Sequence, residues 1–260
     1  FLGFFNKILT IPLLYFKLRN YKPDIIYYRQ NSTWYPGIGL ILRLAPTVIE
    51  VNAMQDEHKT YGKLFFFVYK ITQKFVWNSI KGLICVTHEI ANELEYLNKP
   101  ITVIGNSFFG NIVNRTSNNN VSPSLIFICS KIEFSTCWHG IDKVLKLASR
   151  LPYVIFNVVG YTFNDFHKHM VPDNVIFHGF KTGDDLQYIL DSSDVGIGSL
   201  ALHRVNTNEA CTLKVREYLM NRIPAIIGYR ESQLELNNVP YVLNIGNNED
   251  NVINNITVIE

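Results

Sequence analysis

The stretch E-A-C-T-L-K-V-R-E-Y-L-M-N-R-I-P-A-I-I-G, residues 209–228, contains two carboxylates, Glu209 and Glu217, with seven residues between them. It predicts a polar loop, a short helix and a buried strand, the order that places ligand-binding groups at the carboxyl edge of a parallel sheet. On that helix Lys214 and Glu217 are three residues apart and share one face. Because a Glu can accept hydrogen bonds from paired hydroxyls, the pattern favours a cleft that binds a ribose or a hexose. The alternative is that both glutamates are solvated surface groups.

The same stretch resembles the E-x7-E signature of the retaining nucleotide-sugar glycosyltransferases of family 4, which have the GT-B fold. The following Y-L-x-x-x-I-P-A-I-I is similar to the usual continuation of that signature. The resemblance implies that Glu209 faces the donor sugar and that Glu217 holds the ribose, with Leu213 and Lys214 also in the donor site. It implies an α/β fold of two Rossmann-like parallel-sheet domains facing a cleft, with the N-terminal domain incomplete.

The length and composition allow one large domain or two of ordinary size, since the 260 residues are 47% hydrophobic. The net charge of +2 is unevenly distributed: residues 1–123 hold 13 Lys and Arg against 7 Asp and Glu, and the remainder holds 11 against 15. The basic first half predicts an anionic partner, either membrane lipid or a phosphate-bearing acceptor. Nucleic acid is not expected, because no helix-turn-helix, zinc-finger or RNP-like pattern accompanies the basic residues.

The cysteines and histidines indicate neither a disulfide framework nor a metal site. The four cysteines form no C-x-x-C pair, and a reduced cytoplasmic setting, including the inner face of the membrane, fits them. His167 and His169 lack a matching Cys or His pair and are typical of a surface loop.

The start of the chain predicts a helix within a domain. The apolar stretch Ile8–Phe16 is interrupted by Pro12 and is too short for a membrane span, and no cleavage-site pattern follows it. We interpret it as an amphipathic helix. Because the chain opens on Phe1, we expect a fragment whose first strand precedes Phe1 and whose closing helix follows Glu260.

Strand-like and helix-like segments alternate along the chain, as in βαβ units with a parallel sheet. The predicted strands are Asp24–Arg29, Thr47–Val51, Leu83–Thr87, Ile101–Ile104, Leu125–Cys129, Val154–Val159, Asn174–Phe177, Asp194–Ile197, Ala225–Ile227 and Tyr241–Leu243. The predicted helices are Gly37–Leu44, Tyr61–Ile80, His88–Asn98, Ile141–Arg150, Gly183–Leu190 and Leu213–Asn221. An N-terminal acceptor-side domain is predicted over residues 1–113, a linker over 114–123 and a C-terminal nucleotide-sugar domain over 124–260.

The segment C-S-K-I-E-F-S-T-C-W-H-G-I-D, residues 129–142, follows the first strand of the second domain and enters a helix, where a phosphate can bind. Lys131 supplies positive charge, Gly140 permits close backbone approach and Asp142 can stabilise the helix start. Here too the chain resembles the glycosyltransferase family, in which a cation and a Lys-Gly pair grip the donor diphosphate. His139 stands where Lys is commoner, and a nearby diphosphate would favour its protonated form. An ordinary surface turn is the alternative.

In the first half, T-V-I-E-V-N-A-M-Q-D-E-H ends a strand with polar groups, and the acceptor-side candidates are Glu50, Asn52, Glu57 and His58. The position resembles that of the family's His near the transferred sugar, but Asn52 occupies it. An amide can position a hydroxyl but cannot deprotonate it. His58 is also typical of an exposed loop.

Three shorter patterns carry weaker indications. I-T-V-I-G-N-S resembles the family's turn before the linker, so Asn106 is either a hinge or cleft residue or a turn residue. F-H-G-F, which ends at Phe180, resembles a strand and turn behind which the nucleobase stacks. Gly196-x-Gly198 copies part of a dinucleotide fingerprint but precedes a polar loop, so we discount it.

The helix predicted over Tyr61–Ile80 is rich in aromatic residues and lysines at near-helical spacing. Such a helix can lie on an anionic bilayer, or it can pack against the sheet, and different faces can do both.

The resemblance to family 4 implies a metal-independent, retaining glycosyltransferase with no cofactor beyond its nucleoside-diphosphate sugar donor. Its acceptor would be a glycan or a lipid-linked molecule in cell-surface polysaccharide or glycolipid synthesis. Lys131 would stabilise the departing diphosphate and Glu209 would orient the sugar. The alternatives are a nucleotide-sugar epimerase of GT-B architecture and a non-catalytic binding protein. The latter is suggested by Asn52 and by Arg222, which occupies a glycine position of the family.

Overall fold

The computed structural model describes residues 2–30, 37–54, 62–107, 122–129, 138–166, 171–233 and 239–260. The chain divides into two compact units, Phe1–Gly105 and Asn106–Glu260. Residues 114–121 of the predicted linker lie outside the described ranges, so the predicted boundaries at 113 and 124 stay a prediction.

The first unit is a four-stranded parallel sheet with helices between its strands. Its strands lie side by side in the order β1-β2-β3-β4, and every neighbouring pair is parallel. Its elements are α1 (Leu2–Tyr21), β1 (Ile26–Arg29), α2 (Ile38–Ile41), β2 (Thr47–Val51), α3 (Lys63–Trp77), β3 (Gly82–Cys85), α4 (His88–Leu94) and β4 (Ile101–Val103).

The core of this unit forms because the strands are apolar and the helices cover them. Ile49 and Cys85 of the sheet are fully buried, as is Tyr69 of α3. Thr87 ends the strand region and begins α4, because its hydroxyl accepts a hydrogen bond from the Ile90 amide at 3.2 Å. The predicted N-terminal helix is confirmed and runs through Pro12. Across the described part of the chain, none of the helices has the length and apolar character needed to cross a bilayer.

The second unit is built on a six-stranded parallel sheet in the order β12-β10-β8-β5-β6-β7. Its elements are β5 (Ser124–Ile128), α5 (Ile141–Arg150), β6 (Ile155–Val159), β7 (Val175–Gly179), α6 (Gly183–Asp191), β8 (Val195–Ile197), β9 (Glu209–Ala210), α7 (Leu213–Met220), β10 (Ala225–Ile227), β11 (Arg230–Glu231), β12 (Val242–Asn244), α8 (Asn251–Asn254) and α9 (Ile256–Ile259). The strand order reverses between β5 and β8. That reversal is a topological switch point, the place where open α/β sheets bind ligands.

Both faces of this sheet are buried. Successive residues of β5 point to opposite faces, so Phe127 joins one hydrophobic cluster while Ile126 joins another. This two-sided burial explains the continuous apolar runs and confirms the predicted α/β architecture. Four short elements were not predicted: the helices α8 and α9, and the strands β9 and β11, which pair in parallel. Strand β9 lies in the segment that was expected to be a polar loop.

The glycines of the G-x-G pattern serve packing. A Cβ on Gly196 would lie 2.2 Å from the Tyr218 ring, and one on Gly198 would lie 2.8 Å from the Ile227 side chain. Both distances are too short for a real side chain, so the pattern reflects close contact of helix α7 and strand β10 with β8.

Candidate functional site

The start of helix α5 lies at the switch point and is tied to the loop after β8. The amides of Leu200 and Ala201 donate to the carbonyls of His139 and Trp138, at 3.1 and 3.2 Å. Gly140 precedes the helix with φ of 81°, and a Cβ there would come within 3.0 Å of the Leu200 side chain. These contacts fix the N-terminal amides of α5 at the carboxyl edge of the sheet, where an anion can be bound.

A buried pair of basic side chains stands beside this helix start. The Nζ of Lys214 lies 3.4 Å from Nδ1 of His139 and 4.7 Å from the centre of the Phe127 ring. His139 is 6% exposed and Lys214 is 9% exposed. Helix α7 therefore directs a cation into the edge of the sheet.

His139 is neutral in this environment. Burial, followed by the charge of Lys214, lowers the pKa of His139 to about 2. The expectation of a protonated imidazole concerned a site with a diphosphate beside it, and that expectation stays a prediction.

The tautomer of His139 follows from its neighbours. An ammonium group only donates, so Nδ1 accepts from Lys214 and the ring proton sits on Nε2. Nδ1 also lies 3.2 Å from the Ser199 hydroxyl. Nε2 is buried and has no hydrogen-bond partner within the described part of the chain. A buried N–H group left in this state is suited to donate a hydrogen bond to an oxygen atom of a ligand.

Glu209 is a buried carboxylate in strand β9. The residue is 2% exposed, and its Oε2 accepts from the Arg230 guanidinium at 3.4 Å. Arg230 faces it because β11 pairs with β9 in that register. The alternative of a solvated surface group is therefore wrong for Glu209.

Glu217 and Leu213 lie on helix α7 and are less enclosed. Glu217 is half-buried, and burial raises the pKa of its carboxyl group. Leu213, the first residue of α7, is about half exposed. Lys214 is the most deeply buried of the three predicted donor-site residues on this helix.

Tyr218 fixes α7 to the switch point, a role that the sequence pattern did not reveal. Its hydroxyl accepts from the Ile128 amide at 3.0 Å and donates to the Ile197 carbonyl at 3.2 Å. These two groups end β5 and β8. The positions of Lys214 and Glu217 therefore depend on Tyr218, which anchors the same helix.

Three further contacts, made by Arg216 and Asn106, hold the loop between the paired glutamates. Arg216 forms a buried ion pair with Glu231 at 2.8 Å, and it donates to the Thr212 carbonyl at 3.0 Å. Asn106 donates from its side-chain amide to the Cys211 carbonyl at 2.7 Å. Sequence reasoning singled out Asn106 as a hinge or turn residue but missed this anchoring contact.

Asp142 lies in the first turn of α5, where its carboxylate can stabilise the helix start as predicted. It also forms a two-point ion pair with Arg204, at 2.8 and 2.7 Å. The pair joins α5 to the short helical turn after β8. Its effect is to brace the same loop that contacts His139.

The remaining predicted residues are more dispersed. Phe180 follows β7 and is 84% exposed. In the first unit, Glu50 accepts hydrogen bonds from Tyr27 and Arg29, and the buried Oδ1 of Asn52 has no hydrogen-bond partner within the described residues. The following candidates lie outside the described residues: Lys131, Glu57, His58, His167 and His169.

The described thiols and metal-ligating residues are the candidates for a further site. The described cysteines, Cys85, Cys129 and Cys211, are buried and form no disulfide with one another. Within the described ranges, no group of three or more His, Cys, Asp or Glu side chains is arranged to hold a metal ion.

No protein-family model matches the chain. No curated protein has significant sequence similarity to it. Solved structures, by contrast, share its fold across nearly its whole length. Anabaena HepE in complex with UDP-glucose has a TM-score of 0.65 at 14% identity, covering 96% of this chain and 72% of its own.

Two more solved structures share the fold of this chain. Staphylococcus aureus TarM, solved with UDP, α-GlcNAc-glycerol and fondaparinux, has a TM-score of 0.63 at 16% identity over 95% of this chain. A Rickettsia africae glycosyltransferase has a TM-score of 0.63 at 14% identity, covering 97% of this chain and 71% of its own. The chain spans 50% of the length of TarM.

A structure assigned as a UDP-N-acetylglucosamine 2-epimerase from Listeria monocytogenes is less similar, with a TM-score of 0.53 at 12% identity over 96% of this chain and 70% of its own. These similarities establish the Rossmann-like GT-B fold of the chain.

Proposed function

We propose that this chain is part of a glycosyltransferase that moves a sugar from a nucleoside-diphosphate sugar to a glycan or lipid-linked acceptor in cell-surface glycan synthesis. The observation that carries the proposal is the Lys214–His139 pair at the N-terminus of α5. There a buried cation, an Nε2–H with no partner among the described residues, and helix-end amides converge at the switch point. The GT-B neighbours with bound UDP or UDP-glucose support the choice of ligand.

The diphosphate is the part of the donor that this cluster fits. Lys214 neutralises developing charge on the departing diphosphate, Nε2–H of His139 donates to one of its oxygens, and Gly140 lets the backbone approach. Lys131, in the stretch just before, would add a second cation. Side chains and helix amides then supply the stabilisation that a metal would otherwise give.

The two glutamates have separate roles in this proposal. Glu209 orients the hydroxyls of the transferred sugar, because the Arg230 guanidinium holds its buried carboxylate in place. Glu217 accepts from the ribose hydroxyls, with Leu213 beside it, and Phe180 offers an exposed ring to the nucleobase. We propose transfer on one face of the sugar with retention of configuration, as in the family 4 enzymes that the signature resembles.

On the acceptor side, Asn52 positions a hydroxyl group. Its buried Oδ1 needs a donor, which an acceptor hydroxyl supplies. Glu50 is already engaged by Arg29 and Tyr27, so it supports the strand end. Glu57 and His58 remain candidates from sequence.

The direct test is a panel of UDP-, GDP- and other activated sugars, with the melting temperature of the protein as readout. A true donor at 100 times its dissociation constant should stabilise the protein by about 2.7 kcal/mol. Glu217→Ala should weaken this binding, whereas Lys131→Ala should lower turnover by about 10²-fold. The proposal fails if no activated sugar shifts the melting temperature.

An epimerase is the second candidate, favoured by the similarity to the Listeria structure. It would release a converted sugar nucleotide without any acceptor. Product analysis with and without a lipid-linked acceptor separates the two activities, since only the transferase needs the acceptor to consume its donor.

A further inference from the structure

Helix α3 of the first unit has two apolar faces. One face packs into the core through Tyr69, Val76 and Trp77, which are 0%, 1% and 3% exposed. The opposite face carries Leu64, Phe67, Ile71 and Phe75, the first three each more than 60% exposed and Phe75 43%. Their spacing of three or four residues forms a continuous stripe along the helix. The first face packs into the hydrophobic core. The second face stays largely exposed and is available to contact a partner.

Exposed lysines border this stripe. Lys63, Lys70 and Lys74 follow one another at seven and four residues, so they line up along the same side of the helix. The sequence of α3, K-L-F-F-F-V-Y-K-I-T-Q-K-F-V-W, contains no acidic residue. The helix therefore presents an apolar stripe with a positive edge and no acidic residue of its own.

Helix α2 extends the same kind of surface beside α3. The Arg43 guanidinium, just after α2, lies 4.1 Å from the centre of the Phe75 ring and donates to the Ser79 hydroxyl at 3.0 Å. Leu40 of α2 is 53% exposed. A further cation and a further apolar side chain thus accompany the end of the stripe.

We propose that this α3 face, formed by the apolar stripe and the three lysines, docks on the surface of an anionic lipid bilayer. A helix with an apolar stripe and flanking cations lies in the plane of the interface, with its apolar side chains among the acyl chains and its cations at the headgroups. Charge complementarity selects anionic lipid as the occupant. The proposal uses only the first unit and goes beyond sugar transfer, so it does not depend on the donor site.

The test is sedimentation of the 260-residue chain with vesicles of phosphatidylcholine alone or mixed with phosphatidylglycerol. We expect binding to the anionic vesicles only, weakening as salt is added. Replacing Lys63, Lys70 and Lys74 together with Gln should weaken binding by about 100-fold, because each lysine near an anionic surface contributes roughly fivefold. This triple variant keeps the apolar stripe and leaves the buried face of α3 intact.

A second variant tests the stripe itself. Phe67→Ser with Ile71→Ser should reduce vesicle binding by at least 10-fold, because both side chains lose their apolar area. The matched control is Tyr188→Ser with Val258→Ser, two residues of the second unit that are 78% and 61% exposed. It should bind vesicles as the unchanged chain does. Circular dichroism confirms that each variant is folded.

Three outcomes would overturn the proposal. The first is equal binding to neutral and anionic vesicles, and the second is unchanged binding by both α3 variants. The third is a dimer in sedimentation velocity without lipid that the Phe67 and Ile71 substitutions abolish, since a second copy of the chain would then cover the face.

Discussion

The two units of the chain place their charged side chains in opposite ways. In the second unit Glu209, Lys143 and Lys214 are each less than a tenth exposed. Among the described residues of the first unit no charged side chain is buried to that degree, and the lysines of α3 lie on the surface. Burying a charge is costly unless it is paired or serves a ligand. The second unit therefore holds buried charges that need a partner or a ligand, whereas the described charges of the first unit lie closer to the surface.

Lys143 shows that burial alone does not define a ligand site. Its Nζ donates to the carbonyls of Leu200 and Asn248 and to the side chain of Asn251, at 3.1, 2.6 and 3.0 Å. These three acceptors use its three protons, so Lys143 braces the loop after β8. The feature that distinguishes the His139 cluster is a buried donor with no partner among the described residues.

The largest expected effect follows from removing the buried cation. Lys214→Met keeps the length of the side chain and loses the charge beside His139, so turnover of the donor should fall by about 10²-fold or more. The measurement is the transfer rate with the activated sugar that the panel identifies. Lys146→Met, at an exposed position of α5, is the control. Equal rates for the two variants would show that the cluster is not the diphosphate site.

Removing the anchor of α7 should have the next largest effect. Tyr218→Phe leaves the Ile128 amide and the Ile197 carbonyl without their buried partner, so the free energy of unfolding should fall by about 2 kcal/mol or more. Urea denaturation measures it. Tyr188→Phe, at an exposed position of α6, should change little. A loss no greater than that of the control would mean that other groups satisfy the strand ends.

The neutral state of His139 predicts a pH dependence of stability. Its pKa is about 2 in the folded chain and about 6.5 when unfolded, so the unfolded chain binds the proton first as the pH falls. The contribution of neutral His139 to the free energy of unfolding is fully present above pH 6.5. It declines between pH 6.5 and pH 2, by at most about 1.4 kcal/mol per pH unit.

Thermal melts at pH 7 and pH 5 check this dependence. His139→Asn should reduce the pH response relative to the unchanged chain. A steep response in the His139 variant would assign the effect to other groups.

Much of the fold was predictable because the strands are short apolar runs separated by polar turns. The predicted strand Thr47–Val51 has the observed bounds, and the predicted Tyr241–Leu243 is observed at Val242–Asn244. The β9–β11 pair was not predictable, because two residues are too few to show a pattern.

The site was predictable only as a set of candidate residues. Spacing placed Lys214 and Glu217 on one helix face, and the family resemblance identified Glu209 and His139, but the contact of Glu209 with Arg230 joins residues 21 positions apart. Burial, followed by the charge of Lys214, lowers the pKa of His139, and Lys214 is 75 positions away in the chain. Such long-range contacts determine charge state, and no local pattern encodes them.

The smallest expected effect concerns Arg222, where the family that the signature resembles has glycine. The structure gives Arg222 a φ of 55°, so the left-handed turn at the end of α7 is kept despite the side chain. This removes the turn as a reason to expect a non-catalytic protein.

A non-glycine residue in the left-handed region costs about 1 kcal/mol, and glycine costs about 0.5 kcal/mol or more in chain entropy. Because these two costs nearly cancel, Arg222→Gly should change the free energy of unfolding by less than about 1 kcal/mol. Arg150→Gly, at a helical position of α5, should lose about 1 kcal/mol in urea denaturation. A larger loss of stability for Arg222→Gly than for Arg150→Gly would show that the Arg222 side chain, and not its backbone, holds the end of helix α7.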